Sequence, residues 1–448
     1  MKELIQTLRN IFKIPELKDR ILYTLLLLAV FRLGSFIILP GVNSETMQAL
    51  AGSTGGAASN LLDLFNVFLG GAFNRGSILA LGIMPYISAS IVVQLLGAVL
   101  PAIQKLRSEG DSGQKKLNQI TRYLTVAITI GQAISYLVYL QGRFPQAITS
   151  VEWVYWVSGL ALLTAGTMFL VWLGERITDN GIGNGVSLII MIGIIAGFPP
   201  ALLNEARSTL PMVFFIEILA LGVVTMAVVA LTQATRKIPI NYARQMAGSA
   251  LGKMGGGNRA RQYIPLKVNS AGVMPIIFAQ AIMFLPTTLI QLSKSDALTG
   301  VAAALSDYTG VWYNLIFFFM IIVFTYFYTA IAVNPNEIAD QLKRTGGFIP
   351  GVKPGKKTAS YIDTVLNRIT LPGSIFLAFV SIFPSIAMVM GASSGFAQFF
   401  GGTTLLIMIG VVLDTLQQIE SYLLMRHYDG LMKSGRVKGR QRSGVVAG

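Results

Sequence analysis

Residues 82–87 read Gly82-Ile83-Met84-Pro85-Tyr86-Ile87, and residues 272–277 read Gly272-Val273-Met274-Pro275-Ile276-Ile277. The two stretches lie 190 residues apart. Each sits just inside a long apolar run, the second of the first five and the second of the next five. The same offset carries the run at 21–40 onto 211–230 and the run at 122–141 onto 312–331. An odd number of spans in each half makes the copies enter the bilayer from opposite sides, which is an inverted repeat. Folds of that kind place their functional path at the membrane midplane, between the halves.

Composition agrees with a chain that lives in lipid. Of 448 residues, 53% are apolar and only 12% charged, the balance of a multi-span membrane protein. The spans are expected at about 21–40, 76–100, 122–141, 153–174, 185–203, 211–231, 271–292, 312–333, 365–390 and 403–424. An amphipathic stretch, 1–20, precedes the first half (21–203). The second half follows at 204–424, and a polar tail occupies 425–448. The first apolar run is long enough to remain as a span, and no removable signal is expected.

The net charge of +15 is concentrated on one side. With ten spans both termini share a side. The segments 1–20, 101–122, 174–184, 232–270, 334–370 and 425–448 on that side hold 30 of the 35 lysines and arginines. The positive-inside rule puts that side, with both termini, in the cytoplasm. Two loops there, 232–270 and 334–364, are far longer than a helix connection needs. The first carries Arg236, Lys237, Arg244, Arg259, Arg261 and Lys267; the second presents Lys343, Arg344, Lys353, Lys356 and Lys357 among glycines and prolines. Charge that only fixes topology and touches anionic membrane lipids is one reading. A docking platform for an acidic or RNA-bearing partner is the other, and loop length and turn content favour it.

Between Ser59 and Arg75 lies an apolar segment too short to cross, with Leu61, Leu62, Leu64, Phe65, Val67, Phe68 and Leu69 ahead of a Gly70-Gly71 hinge. Runs of this length are re-entrant or interfacial. A re-entrant segment at membrane depth has to lie inside protein or a water cavity.

Several chemistries are excluded. Cysteine is absent and the one histidine, His427, lies in the tail. That removes disulfides, thiolate catalysis and nearly every zinc site. A serine nucleophile has no base in the membrane, and no Gly-x4-Gly-Lys-[Ser/Thr] loop supports ATP hydrolysis. No metal, cofactor or catalytic residue is expected. Gly181-Ile182-Gly183-Asn184-Gly185 lacks the strand and acidic residue of a nucleotide fingerprint and reads as a tight turn. Ionisable groups within spans are few: Arg32, Glu217, Asp414 and, nearer a span end, Glu420, with no chain of Asp, Glu and His among them. Proton-coupled transport wants a chain of them. Arg32 is expected to bond a neighbouring helix.

Uncharged polar groups sit on the repeat spans: Gln94, Thr129, Gln132 and Gln280. Amides pair across helices at a cost of about 1 kcal/mol on separation, which suits a seam that opens and equally suits ordinary interhelical glue. Ile83 and Ile87 share a helix face at i and i+4, and Ile277 maps onto Ile87 by the repeat. Val186, Ile190 and Ile194 form a second β-branched stripe, and Ile407 lies inside the last span. Converging on an axis, such side chains form a dewetting constriction; facing lipid, they are ordinary packing.

At these residues a resemblance enters. The runs Leu81–Leu96 (LGIMPYISASIVVQLL), Glu175–Ile190 (ERITDNGIGNGVSLII), Ile264–Ala279 (IPLKVNSAGVMPIIFA) and Asn334–Thr358 (NPNEIADQLKRTGGFIPGVKPGKKT) resemble the SecY family of protein-translocation channels. Pro40-Gly41-Val42 and Asn241-Tyr242-Ala243-Arg244 fit as well. The resemblance spans the whole chain in order. It implies an all-α membrane protein whose ten transmembrane helices form two inverted five-helix halves around a central hourglass pore. It further implies passive conduction of unfolded secretory polypeptides across the inner membrane, with lateral release of apolar segments. Ile83, Ile87, Ile190, Ile277 and Ile407 would form the pore ring, with Val186 a sixth member; in the fifth span Ile194 satisfies the same spacing. Residues 61–73 would be the plug, and spans 2 and 3 against 7 and 8 the lateral gate. The implied partners are SecE-like and SecG-like small subunits, the SecA motor, the ribosome, signal sequences and nascent chains. One departure is Lys353, where relatives carry arginine in the Pro-Gly-x-[basic]-Pro-Gly turn; lysine keeps the charge without the planar fork. The competing class is a secondary transporter of an organic or lipid-linked solute.

Overall fold

The computed structural model describes residues 14–51, 66, 69–149, 151–242, 262–280, 283 and 309–433. Helices dominate: α1 (Pro15–Gly34), α2 (Ser44–Ala51), α3 (Met84–Val99), α4 (Pro101–Ser108), α5 (Asp111–Arg143), α6 (Glu152–Asn180), α7 (Gly185–Ser208) and α8 (Pro211–Gln233). After a β-hairpin come α9 (Val311–Ala332), α10 (Pro335–Arg344), α11 (Lys356–Val389), α12 (Ser394–Ala397) and α13 (Gly402–Lys433). Among the described residues seven helices, α5 to α9, α11 and α13, are long and apolar enough to cross a membrane. Helix α1, the shorter α3 and the helical residues 274–280 correspond to the other expected spans.

Boundaries differ from the sequence expectation where glycine and proline act. Helix α1 starts at Pro15, whose fixed φ suits a first turn, and ends at Gly34, six residues short of the apolar run. The second span becomes helical only at Met84, because 69–83 is a chain of turns. Gly82 and Gly272 both have positive φ, 56° and 65°, and each stands ahead of a helix opening on Met-Pro. The repeat read from the letters is therefore repeated in the backbone.

Packing grades from lipid-facing to central. In α8 only Val228 is buried, while Met212, Phe215, Leu219, Val223 and Met226 are exposed, the profile of a helix against acyl chains. By contrast Leu405, Leu406, Ile407, Ile409 and Val411 of α13 lie inside the main apolar cluster. Helix α13 touches α7, α8 and α11, and so joins the two halves. The α6–α7 connection is tight enough that a Cβ on Gly185 would lie 2.0 Å from the Gly174 carbonyl oxygen.

The two long loops fold together. Strand β1 (Thr235–Tyr242) pairs antiparallel with β2 (Gln262–Lys267), Ile238 opposite Ile264, and also with β3 (Gly347–Phe348), Asn241 opposite Phe348. Ile238, Ile240, Leu266, Leu342, Ile349, Ile362 and Leu366 bury one face of this sheet against α10 and α11. The all-α fold thus carries one small extramembrane sheet that the turn-rich composition hid.

Candidate functional site

The residues expected to form a constriction belong to one apolar cluster. Ile83, Ile87 and Ile407 are buried members of it; Val186, Ile190 and Ile277 are partly buried against it. They arrive on α3, with Ile83 immediately ahead of its first residue, on α7, on the 274–280 helix and on α13. The i to i+4 bond from the Ile87 amide to the Ile83 carbonyl (3.1 Å) sets the first pair one turn apart. In α7 the two candidates separate: Ile194 is 0% exposed, whereas Ile190 lines a small recess, with room for little more than one water, together with Phe31, Leu69, Leu79, Gly82 and Ile83. All the side chains named there are apolar, so the recess repels water.

Of the expected plug residues, Leu69 lies among the described residues, buried against this recess. Leu61, Leu62, Leu64, Phe65, Val67 and Phe68 lie outside the described residues. The turns that follow are fastened to the body. Tyr136 Oη donates to the Phe73 carbonyl at 2.8 Å, and Ile38 bridges Ser77. Arg32, expected to bond a neighbouring helix, donates from Nη1 to the Gly70 carbonyl of the turn segment at 2.9 Å.

The polar residues of the repeat spans part company. Gln94 accepts from Tyr328 Oη of α9 at 3.5 Å and donates to Ser90 within its own helix, so it reaches across the halves. Phe278 stacks on Phe324 (5.7 Å) beside Tyr328, completing an aromatic wall on the far side. Gln280 instead donates to Thr403 of α13 at 3.3 Å, inside the second half. Thr129 donates to the Thr125 carbonyl of its own helix, and Gln132 is half-buried.

The glycine-rich turn 181–185 has its amides occupied. Ile182 N–H donates to Thr24 Oγ1, Gly183 N–H to Gln418 Oε1 and Gly185 N–H to Thr178 Oγ1. A phosphate cradle needs those amides unpaired, so this is a structural turn that ties α1 to α13. Sequence reasoning also missed Glu205. It is 0% exposed, and both carboxylate oxygens accept from the Ser393 N–H, at 3.3 and 3.2 Å, with the Ser393 hydroxyl donating as well. The partner lies 188 residues away, and no local signal announces it.

On the basic face, Arg236, Lys237, Lys267, Lys343, Arg344, Lys353, Lys356 and Lys357 are all exposed. Arg236, Lys237 and Lys267 lie on the hairpin, Lys343 and Arg344 end α10, Lys353 lies on the connection and Lys356 and Lys357 open α11, so the sheet brings both loops to one platform. Lys237 Nζ rides over the Tyr263 ring at 4.8 Å. Arg244, Arg259 and Arg261 lie outside the described residues. No cluster of potential metal ligands occurs among the described residues.

Comparison with known proteins gives the same outline. Residues 77–416 match the family model for SecY. The protein translocase subunit SecY of Chlamydia trachomatis is 40% identical over 460 aligned positions, covering 97% of this chain and 99% of that one. Its Thermotoga maritima counterpart is 39% identical, covering 97% and 100%. Among solved structures, that of a protein-conducting channel aligns with a TM-score of 0.58 at 16% identity over 94% of both chains. A SecY structure concerned with a plug domain that stabilises the closed state gives 0.58 at 18%, again over 94% of both. Sec61 in a canine ribosome–channel complex gives 0.55 at 16% over 94% of both. At these identities the structural likeness speaks for the fold.

Proposed function

We propose, because the chain belongs to the SecY family, that it is a passive channel for unfolded polypeptide, driven by partners and not by chemistry of its own. It is a multi-pass membrane protein with the fold of the SecY and Sec61 channels. In this reading residues 21–203 and 204–424 are the two halves, between the amphipathic 1–20 and the tail 425–448, with both termini in the cytoplasm of the inner membrane. The observation that carries it is the meeting of Ile83 and Ile190, from separate spans, at one apolar recess with Leu69 lodged in it. Stiff β-branched side chains make a dewetted waist that yields to a passing chain without binding it. Val186, Ile87, Ile277 and Ile407 complete the ring, and 61–73 closes one side of it. Spans 2 and 3 part from 7 and 8 to release apolar segments into lipid.

The exposed basic platform is the docking surface for the ribosome, as the Sec61 complex suggests by analogy, and for the SecA motor. SecE-like and SecG-like subunits complete the assembly. The chain has no cysteine, so single cysteines are clean probes. A translocating substrate with one cysteine is expected to crosslink to cysteines introduced as Ile87→Cys or Ile277→Cys, and not to Met226→Cys on the lipid-facing α8. Adducts absent from both ring positions, with export intact, would favour a solute transporter.

A further inference from the structure

Leu69 is 8% exposed and shares the recess wall with Gly82, Ile83 and Ile190. Gly82 makes room for it: a Cβ there would lie 2.1 Å from Leu69 Cδ2. The next residue, Gly70, has a φ of +60°, a left-handed conformation that favours glycine. Its carbonyl accepts the 2.9 Å bond from Arg32 Nη1. On its other side Gly70 meets α7, for a Cβ at Gly70 would sit 2.8 Å from Arg32 Nη1 and 3.1 Å from the Gly193 carbonyl oxygen. Gly193 lies less than one helical turn beyond Ile190. The turn bearing Leu69 is therefore wedged between α1 and α7 beside the recess, and Arg32 is its side-chain tether to α1 among the described residues.

We propose that Arg32 is a positioning residue for channel closure: its bond to the Gly70 carbonyl holds Leu69 in the recess and keeps the constriction filled at rest. The proposal rests on the channel reading above. A plainer role exists, since Arg32 occupies the last turn of α1, where any cation offsets the helix dipole. That role requires no particular carbonyl. Moreover Arg32 and Arg75 both lie over the Phe36 ring, at 5.0 and 4.4 Å. Two like charges at one ring are a costly way to neutralise a helix end, whereas a guanidinium aimed at a backbone oxygen has a reason to stay.

The test is the resting ion conductance of the full chain, assembled with its small membrane subunits in planar bilayers without substrate. Arg32→Met removes the donor. Gly70→Ala disturbs the same contact from the acceptor side and leaves the charge in place. Each is expected to raise the open fraction roughly tenfold, the order of effect for losing one hydrogen bond to a charged donor. The double variant should conduct little more than Gly70→Ala alone, because Gly70→Ala already breaks the Arg32 contact while also pressing on the Gly193 carbonyl. Arg32→Lys keeps the charge without the fork and is expected to fall between parent and Arg32→Met. If Arg32→Lys matches the parent while Arg32→Met leaks, charge alone matters and the positioning role is overturned. It is also overturned if Arg32→Met and Gly70→Ala stay tight while Ile190→Asn leaks. If Ile190→Asn is tight as well, the channel reading itself has failed. Should Arg32→Met not assemble, Gly70→Ala decides alone.

Discussion

The two halves touch across two edges of very different chemistry. At the α3–α9 seam the polar link is a neutral bond from Tyr328 Oη to Gln94 at 3.5 Å, flanked by the Phe278–Phe324 stack. At the α7–α12 corner, where the fifth-span helix runs on to Ser208, five residues past the expected 203 boundary, a fully buried carboxylate, Glu205, takes the Ser393 amide and hydroxyl. A long neutral hydrogen bond contributes a net fraction of a kcal/mol, while bonds to a buried charge contribute about 1.5–3 kcal/mol, and stranding such a charge costs more. The first edge costs little to part and the second much more, which suits the opening seam proposed above.

Breaking the corner should produce the largest effect. Glu205→Ala removes both acceptor oxygens at once and leaves the Ser393 donors without them. A loss of about 3 kcal/mol is expected, read as a clearly lowered Tm of the complex in detergent. Ser393→Ala keeps the amide bonds and loses only the hydroxyl, so about 1 kcal/mol is expected. A Glu205→Ala protein as stable as its parent would mean that the corner does not clamp the halves.

How much of this was legible in the letters depends on range. The multi-span helical plan of the SecY fold was readable, because apolar runs and a 190-residue offset are one-dimensional signals. Ile83, Ile87 and Ile277 stood out for the same reason, through the repeated hexapeptide. The hairpin had a signal that went unread. Ile238 and Ile240, then Ile264 and Leu266, alternate with polar or proline positions, the period of a half-buried strand, but the surrounding charge and glycine spoke louder. Glu205 was illegible, since it falls at the end of an apolar run like any solvated loop acid. What makes it special is Ser393, brought to it only by the packing of α12 on α7. Gln280 shows the opposite error: equivalent in type to Gln94, it bonds Thr403 within its own half, and composition does not distinguish the two.

The seam offers the smaller and more selective effect. Tyr328→Phe together with Gln94→Leu replaces both polar partners by apolar groups of similar size. Removing a weakly bonded pair in this way is nearly neutral for stability, less than about 1 kcal/mol, so Tm should hardly move. Opening, however, exposes both faces of the seam to lipid or to an entering segment, and the closed state no longer carries two polar groups that make parting easy. The double variant is expected to export strongly hydrophobic signal sequences at the parental rate and marginal ones several-fold more slowly. The comparison is sharpest when both edges are varied in one protein. Glu205→Ala in the seam variant should lower Tm by the same amount as in the parent, because the two edges share no residue. A non-additive result would mean that seam and corner move as one body, and the contrast between a yielding edge and a holding edge would be lost.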